Sequence, residues 1–352
     1  KGRTSKSDLE KQWSYPYLFC SRRKLEVLQR KCCGGDQVVL TPAVEMCIQK
    51  KITGDYMTYD TSTFIEMLSY RRPEGSRSQT KFCRRFLEPV FGKPDAKGNY
   101  ILRIGDNPRI AYMSHHDTVH ASSGRQKVVV RTEFAATTGT DCLGADCTSG
   151  IYIMLRMIDA GVEGLYIVHA AEEIGCKGSS YIATHTPDVV HGIDAAISFD
   201  RKGYGSVITH QMGSRTCSED FARSLERAVD LGYTPDNTGS YTDSNEYAHL
   251  IPECTNVSVG YFDQHTKAEQ QDLVFLERVA DAFICADLSN LIIDRRPVDS
   301  DINYDDYDVE QLVVNYPKSV AALLTSMGFS YSDLCEAIDD IRDYNYYNGG
   351  AF

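Results

Sequence analysis

The sequence has no apolar run approaching the roughly 18 to 20 residues that a membrane-spanning helix needs. Its opening stretch, "KGRTSKSDLEKQ", carries no signal-peptide core. Positive charge is also scarce: 37 Lys and Arg stand against 49 Asp and Glu, a formal net charge of −12. A general nucleic-acid binder needs a basic surface to neutralise phosphates, so the balance argues against that class. The cysteines number 12 but form no pair of CxxC elements, which excludes a zinc ribbon. Scattered through strand-like and helix-like segments, they read as reduced thiols of a cytoplasmic protein, the adjacent Cys32 and Cys33 included. There is no internal repeat.

What is present is a hydrophobic fraction of 42% and a regular alternation of patterns. Between residues 61 and 293 strand-like and helix-like segments alternate, which predicts an α/β domain with a mixed, mainly parallel sheet flanked by helices. Strands are expected at "NYILRIG", "RIAYMSH", "KVVVRTEF", "GLYIVHA", "DAAISFD", "SVITHQ" and "CTNVSVGY". Helices are expected at "SQTKFCRRFLEPVF", "TSGIYIMLRMIDAG", "SEDFARSLERAVDLG" and "LVFLERVADAFICADLSNLII". Residues 1–60 form an N-terminal extension without clear periodicity, and residues 294–315 an acidic, turn-rich linker. The linker leads to a helical extension over residues 316–352, with "KSVAALLTSMG" and "YSDLCEAIDDIRDY" as helices and Gly328 as the stop between them.

One stretch, "LYIVHAAEEIGCKGSS", sets Glu172 and Glu173 side by side where the chain leaves a strand. Two unit charges about 4 Å apart repel by roughly 4 kcal/mol at an effective dielectric near 20, so a compensating cation is expected. Four other segments supply the groups for one. "RIAYMSHHDTVH" ends in His115, His116 and Asp117, and "DCLGADCTSG" puts Asp146 in a Gly-flanked turn before a helix. "AISFDRKG" ends a strand at Asp200, and "GYFDQHTKAEQQD" holds His265 in a loop. Reactive groups of parallel sheets gather beyond the carboxyl ends of strands, so these residues are expected at one site. Two histidines and three carboxylates are the ligands expected of a two-zinc centre. Such a pair polarises a carbonyl and generates hydroxide near neutral pH.

Other polar residues read differently. His116 would point to the opposite strand face from His115 and is expected to be structural. His120 stays open between a substrate contact and a structural role, while His169 belongs to the core of its strand. Asn256 heads the glycosylation triplet "NVS", but its strand has a buried pattern and modification is not expected.

The ordered set "SHHDTVH", "LGADCTSG", "AAEEIGCKGS", "SFDRKG" and "YTDSNEYAHLIPECTNVSVGYFDQHT" resembles metallopeptidase family twenty-eight of clan MH, the co-catalytic two-zinc aminopeptidase-type hydrolases. The resemblance covers residues 61–293 and implies a zinc aminopeptidase-like, phosphorylase/hydrolase-like fold. It implies that His115 and Asp200 hold one zinc ion, Glu173 and His265 the other, and that Asp146 bridges both. It further implies that Asp117 fixes the His115 imidazole. Glu172 would be the general base toward a metal-bridging hydroxide, and Tyr241 in "GSYTDS" would stabilise an oxyanion. The chain departs from the family at Cys147, where Asp or Asn is usual. The spacings between motifs leave no room for a lid insertion of about a hundred residues, so a single catalytic domain is expected.

The expected function is therefore hydrolysis of a peptide or small amide by an aminopeptidase with two zinc ions, and with neither nucleic acid nor membrane as a partner. Three other functions compete. An N-acyl amidohydrolase would keep the metals and change the substrate. A glutaminyl cyclase-like acyltransferase would use one zinc, which the full ligand set argues against. A non-catalytic interaction protein retaining the fold would have no need of Glu172. The side-chain specificity and oligomeric state are not encoded in these motifs.

Overall fold

The computed structural model describes residues 59–297 and scattered positions between 313 and 334. Contacts divide the chain into two units, Lys1–Pro297 and Val298–Phe352. All but the last two residues of the N-terminal extension, Cys32 and Cys33 included, and most of the linker lie outside the described residues.

In the first unit a seven-stranded sheet forms the centre. Its strands are β1 (Tyr100–Ile104), β2 (Ile110–His115), β5 (Gly164–His169), β6 (Ala195–Arg201), β7 (Ser206–Ile208), β8 (Thr234–Asp236) and β9 (Glu253–Ser258), in the spatial order β8-β7-β9-β6-β2-β5-β1. The inner strands β5, β2, β6 and β9 run parallel, while β1 closes one edge antiparallel to β5. Every residue of β5 and of β9 is buried, as expected of parallel strands covered on both faces. A second, four-stranded antiparallel sheet is formed by β3 (Val128–Arg131), β4 (Phe134–Thr137), β10 (Tyr261–Phe262) and β11 (Gln270–Asp272). The fold is the predicted mixed α/β class.

The helices are α1 (Thr61–Leu68), α2 (Arg77–Phe82), α3 (Ala145–Asp159), α4 (Lys177–His185), α5 (Glu219–Val229) and α6 (Leu273–Cys285). α2 continues through a π-turn at Cys83–Leu87 into Glu88–Phe91. Alternation along β2 divides the core between the two faces of the sheet. Tyr112 joins Ile151, Phe199 and Phe283 on the side of α3 and α6, while Ala111 and Met113 join Ile182, Ile193 and Tyr247 on the other. Among the described residues no helix is long and apolar enough to cross a membrane.

Four expectations need correction. "KVVVRTEF" is not one strand: Thr132 takes a positive φ of 57° and turns β3 back into β4. "SVITHQ" breaks after Ile208, and His210–Gln211 pairs instead with Ser214–Arg215. α6 ends at Cys285, short of the full apolar stretch to Ile293. The helices α1 and α4 were not anticipated, because "KGSSYIATH" is dominated by small and polar residues and "TSTFIEML" falls where the pattern begins. In the second unit Val320, Ala321, Leu324 and Thr325 are helical, Phe329 and Ser330 are not, and Tyr331, Ser332 and Leu334 are helical again.

Candidate metal centre

The carboxyl ends of β2, β5 and β6 open onto one edge of the central sheet. His115 is the last residue of β2 and is 1% exposed. Its Nδ1 donates to the backbone carbonyl of Asp117 at 3.1 Å, which directs Nε2 into the site. That Nε2 lies 3.0 Å from Asp146 Oδ1, 3.5 Å from Asp200 Oδ1 and 3.8 Å from Glu172 Oε2. His265, in the loop after β10, places its Nε2 at 3.1 Å from Asp146 Oδ2 and 3.2 Å from Glu173 Oε2. The Asp146 carboxylate thus lies between the two imidazoles, one oxygen facing each. All five sequence-predicted ligands and Glu172 come together, although the segments that carry them span residues 115 to 265.

A cluster of acceptors with so few donors is electrostatically incomplete. Among the described residues no Lys or Arg pairs with Asp146, Glu172, Glu173 or Asp200, and the buried Glu173 Oε1 has no hydrogen-bond partner. Burial lifts the Glu172 carboxyl well above its ordinary range, His115 opposes the shift, and Asp200, Asp243 and Asp146 add to it. Burial and the neighbouring Asp146 likewise push Asp200 up to about 7. Asp146 is held low despite its burial by hydrogen bonds with His115 and His265. Burial works against charging His115, but Glu172, Asp117, Asp146 and Asp200 together raise it well above the imidazole value. The imidazoles and carboxylates compete for protons that a divalent cation would make unnecessary, and the donor set suits zinc. The residues present fit a metal centre.

Sequence reading missed the groups that hold these side chains in place. Asn256 on β9 clamps the backbone of Asp200 on the adjacent β6: its Oδ1 accepts from Asp200 N at 2.9 Å and its Nδ2 donates to Asp200 O at 3.0 Å. The Thr242 hydroxyl donates to Asp200 Oδ2 at 2.8 Å, and that of Tyr261 to Asp200 O at 2.8 Å. Glu269, 1% exposed, accepts from the backbone of Leu143 and Gly144 at 2.8 Å each and of Asp146 at 3.1 Å. Gly144 itself has φ 76°, and a Cβ there would stand 2.7 Å from the His120 ring. No motif assigns Asn256 or Glu269 this role; only the strand register and the turn bring them to the site.

Asp117 sits deeper than the expected role suggests. Its Oδ1 is 3.5 Å from His115 Nδ1, farther than its own backbone carbonyl. Its two carboxylate oxygens accept instead from the backbone amides of Glu172 and Glu173, at 3.1 Å each. One buried carboxylate therefore ties the end of β2 to the glutamate pair. Tyr241 lines the cleft but donates its hydroxyl to Glu246 at 2.5 Å. His116 is structural: its Nδ1 faces Gln79 Nε2 at 3.0 Å and its Nε2 donates to Gly98 O at 3.1 Å. His120 bonds Thr118 through Nδ1 at 2.7 Å and is buried, which takes it away from substrate. His169 is fully buried against Tyr247, with 2.8 Å between Nε2 and the hydroxyl. The peptide bond from Asp146 to Cys147 is cis, and the Cys147 thiol donates to Phe199 O at 3.0 Å, away from solvent.

No family model and no curated protein sequence matches the chain. Solved structures do. An aminopeptidase PepT from Bacillus cereus superposes with a TM-score of 0.53 at 16% identity, over 64% of this chain and 96% of that one. A tripeptidase from Staphylococcus aureus gives 0.52 at 14% identity, over 64% and 96%. The Pyrococcus horikoshii TET1 peptidase, which can assemble into a tetrahedron or a large octahedral shell, gives 0.50 at 15% identity, over 64% and 100%. The central α/β body of this chain thus has the fold shared by these peptidases.

Proposed function

We propose that the protein is a zinc-dependent aminopeptidase that hydrolyses short peptides, with Glu172 as general base. The observation that carries the reading is the convergence of His115, Asp146, Glu173, Asp200 and His265 about one shared carboxylate, with Glu172 at its edge. His115 and Asp200 would hold one zinc ion, Glu173 and His265 the other, and Asp146 both; when bound, the ions polarise the scissile carbonyl and acidify water. Glu172 is free to move a proton because no protein donor saturates it: its one side-chain hydrogen-bond partner among the described residues is the Cys176 thiol at 3.7 Å, and His115 Nε2 stands 3.8 Å from it. It takes a proton from the attacking water and returns it to the leaving amine nitrogen. Asp117 keeps that carboxylate in place through the backbone. The substrate's α-amine would be held beside the metals by one of the carboxylates that line the cleft or by a metal. Residues 61–293 are the catalytic body in this reading, and the second unit is accessory. The similar solved structures named above are peptidases, which supports the same class of substrate.

Elemental analysis after dialysis tests the metals, and about two zinc equivalents are expected. Comparing a peptide with its N-acetylated form tests the substrate: the free amine should be required, and preference for the acetylated form would favour an N-acyl amidohydrolase instead.

A further inference from the structure

The floor of the cleft is acidic, but one wall is not. Arg201 and Lys202 follow Asp200 directly at the end of β6 and line the same cleft as Asp146, Glu172 and Glu173. Arg201 is already engaged: its guanidinium lies 3.4 Å from Asp236 Oδ2 and donates to Thr238 Oγ1 at 3.0 Å. Lys202 is exposed, and its ammonium makes no hydrogen bond or ion pair among the described residues. If two zinc ions offset the four carboxylates, as the proposed function has it, Lys202 is the uncompensated charge of the cleft. A substrate whose scissile amide sits on the floor must send the rest of its chain outward, at about 3.3 to 3.6 Å per residue. The flexible four-carbon stem of a lysine sweeps that range.

Resting on that reading, we propose that Lys202 makes the cleft selective for peptides that carry a carboxylate one or two residues beyond the scissile amide. The carboxylate is either the C-terminus of a di- or tripeptide or an acidic side chain. The ammonium supplies a charge-assisted hydrogen bond to it, while Arg201, held by Asp236 and Thr238, stiffens the wall.

The test compares a dipeptide, its C-terminal amide, and amidated dipeptides with Glu or Gln as second residue, in wild type, Lys202→Ala and Lys202→Glu. In wild type the free acid should be favoured over the amide in kcat/KM by about tenfold, the scale of one charge-assisted hydrogen bond. That ratio should fall to near one in Lys202→Ala and invert in Lys202→Glu. An advantage of the Glu amide over the Gln amide would assign the preference to a side-chain carboxylate, and its absence to the C-terminus. The same ratios are read as Kd by calorimetry on the zinc-loaded protein, with non-hydrolysable reduced-amide analogues. Cleavage that ignores the carboxylate in wild type, or a preference that survives Lys202→Ala, overturns the role of Lys202 and leaves the peptidase reading standing. Failure to cleave any peptide sinks the peptidase reading, and the calorimetric ratio then decides on Lys202 by itself. Binding that ignores the carboxylate overturns it.

Discussion

Glu253 is a fully buried carboxylate and Glu172 a largely buried one in the same body, yet their surroundings are opposite. Glu253, fully buried at the start of β9, accepts from Ser218 N at 2.7 Å, from Ser218 Oγ at 2.9 Å and from the amides of Asp294 and Arg295 at 2.8 Å each. Those bonds pin the start of α5 and the stretch after α6 to the sheet. Among the described residues Glu172 has a long hydrogen bond from the Cys176 thiol and the His115 imidazole at 3.8 Å, and its neighbour Glu173 leaves one oxygen without a hydrogen-bond partner. Burial alone therefore says little about function. A carboxylate rich in donors is architecture, whereas one poor in donors waits for a cation or a proton.

Substitutions break this comparison in a graded way. Asp146→Ala removes the carboxylate shared by both imidazoles, and zinc content should fall to baseline in elemental analysis, with activity lost. Glu172→Gln keeps size and removes the proposed base. It should lower kcat and kcat/KM together by about 10² to 10⁴, with zinc content and Tm near wild type. If Glu172→Gln turned over normally while Glu173→Gln kept its metal and lost activity, the roles of the pair would be exchanged. Glu253→Ala should behave in the reverse manner. It strands several buried donors and should cost about 3 kcal/mol, or roughly 6 to 12 °C in Tm, without a specific loss of zinc.

A smaller effect concerns pH. Burial, with the Arg72 charge adding to it, pushes the His120 imidazole down to about 4. The folded protein thus prefers this group neutral, while the unfolded chain binds a proton near pH 6.5. Its contribution to stability is complete above about 6.5 and is lost as pH falls toward 4. The denaturant midpoint should decline across that window, and His120→Asn should make the decline shallower. The smallest effect expected is that of Tyr241→Phe: with its hydroxyl committed to Glu246 and 42% of the residue exposed, kcat should change by less than about tenfold. A larger drop would return Tyr241 to the oxyanion role.

How much of this was legible in the sequence follows from the same contrast. The inner strands were readable because residues buried on both faces leave continuous apolar runs, and "GLYIVHA" and "DAAISFD" match β5 and β6 closely. The residues proposed as ligands were readable as a cluster because each sits at a strand end or turn beside short, recognisable neighbours. His116 was readable from the alternation of strand faces. Asn256 and Glu269 were not, since their partners are backbone atoms of distant segments that only the register of β9 against β6 and the turn before α3 supply. Lys202 was hidden for another reason. It stands inside the motif "SFDRKG" but matters only once the cleft shows which side chains share it.

The pairing of β2 with β5, which sets His115 opposite His169, has a consequence for the order in which the molecule assembles. The proposed ligand positions belong to strand ends and loops that meet only after β2, β5 and β6 have zipped together. A slip of one residue in that pairing would turn His115 to the far face. A zinc ion held as proposed could not serve as the nucleus of such a structure, as it does in small domains that collapse around an ion. Capture of the ion would instead be the last event, available only to a chain whose long-range sheet is complete. Refolding by dilution from denaturant should therefore proceed at the same rate with or without zinc, and activity should appear in a later, zinc-dependent step.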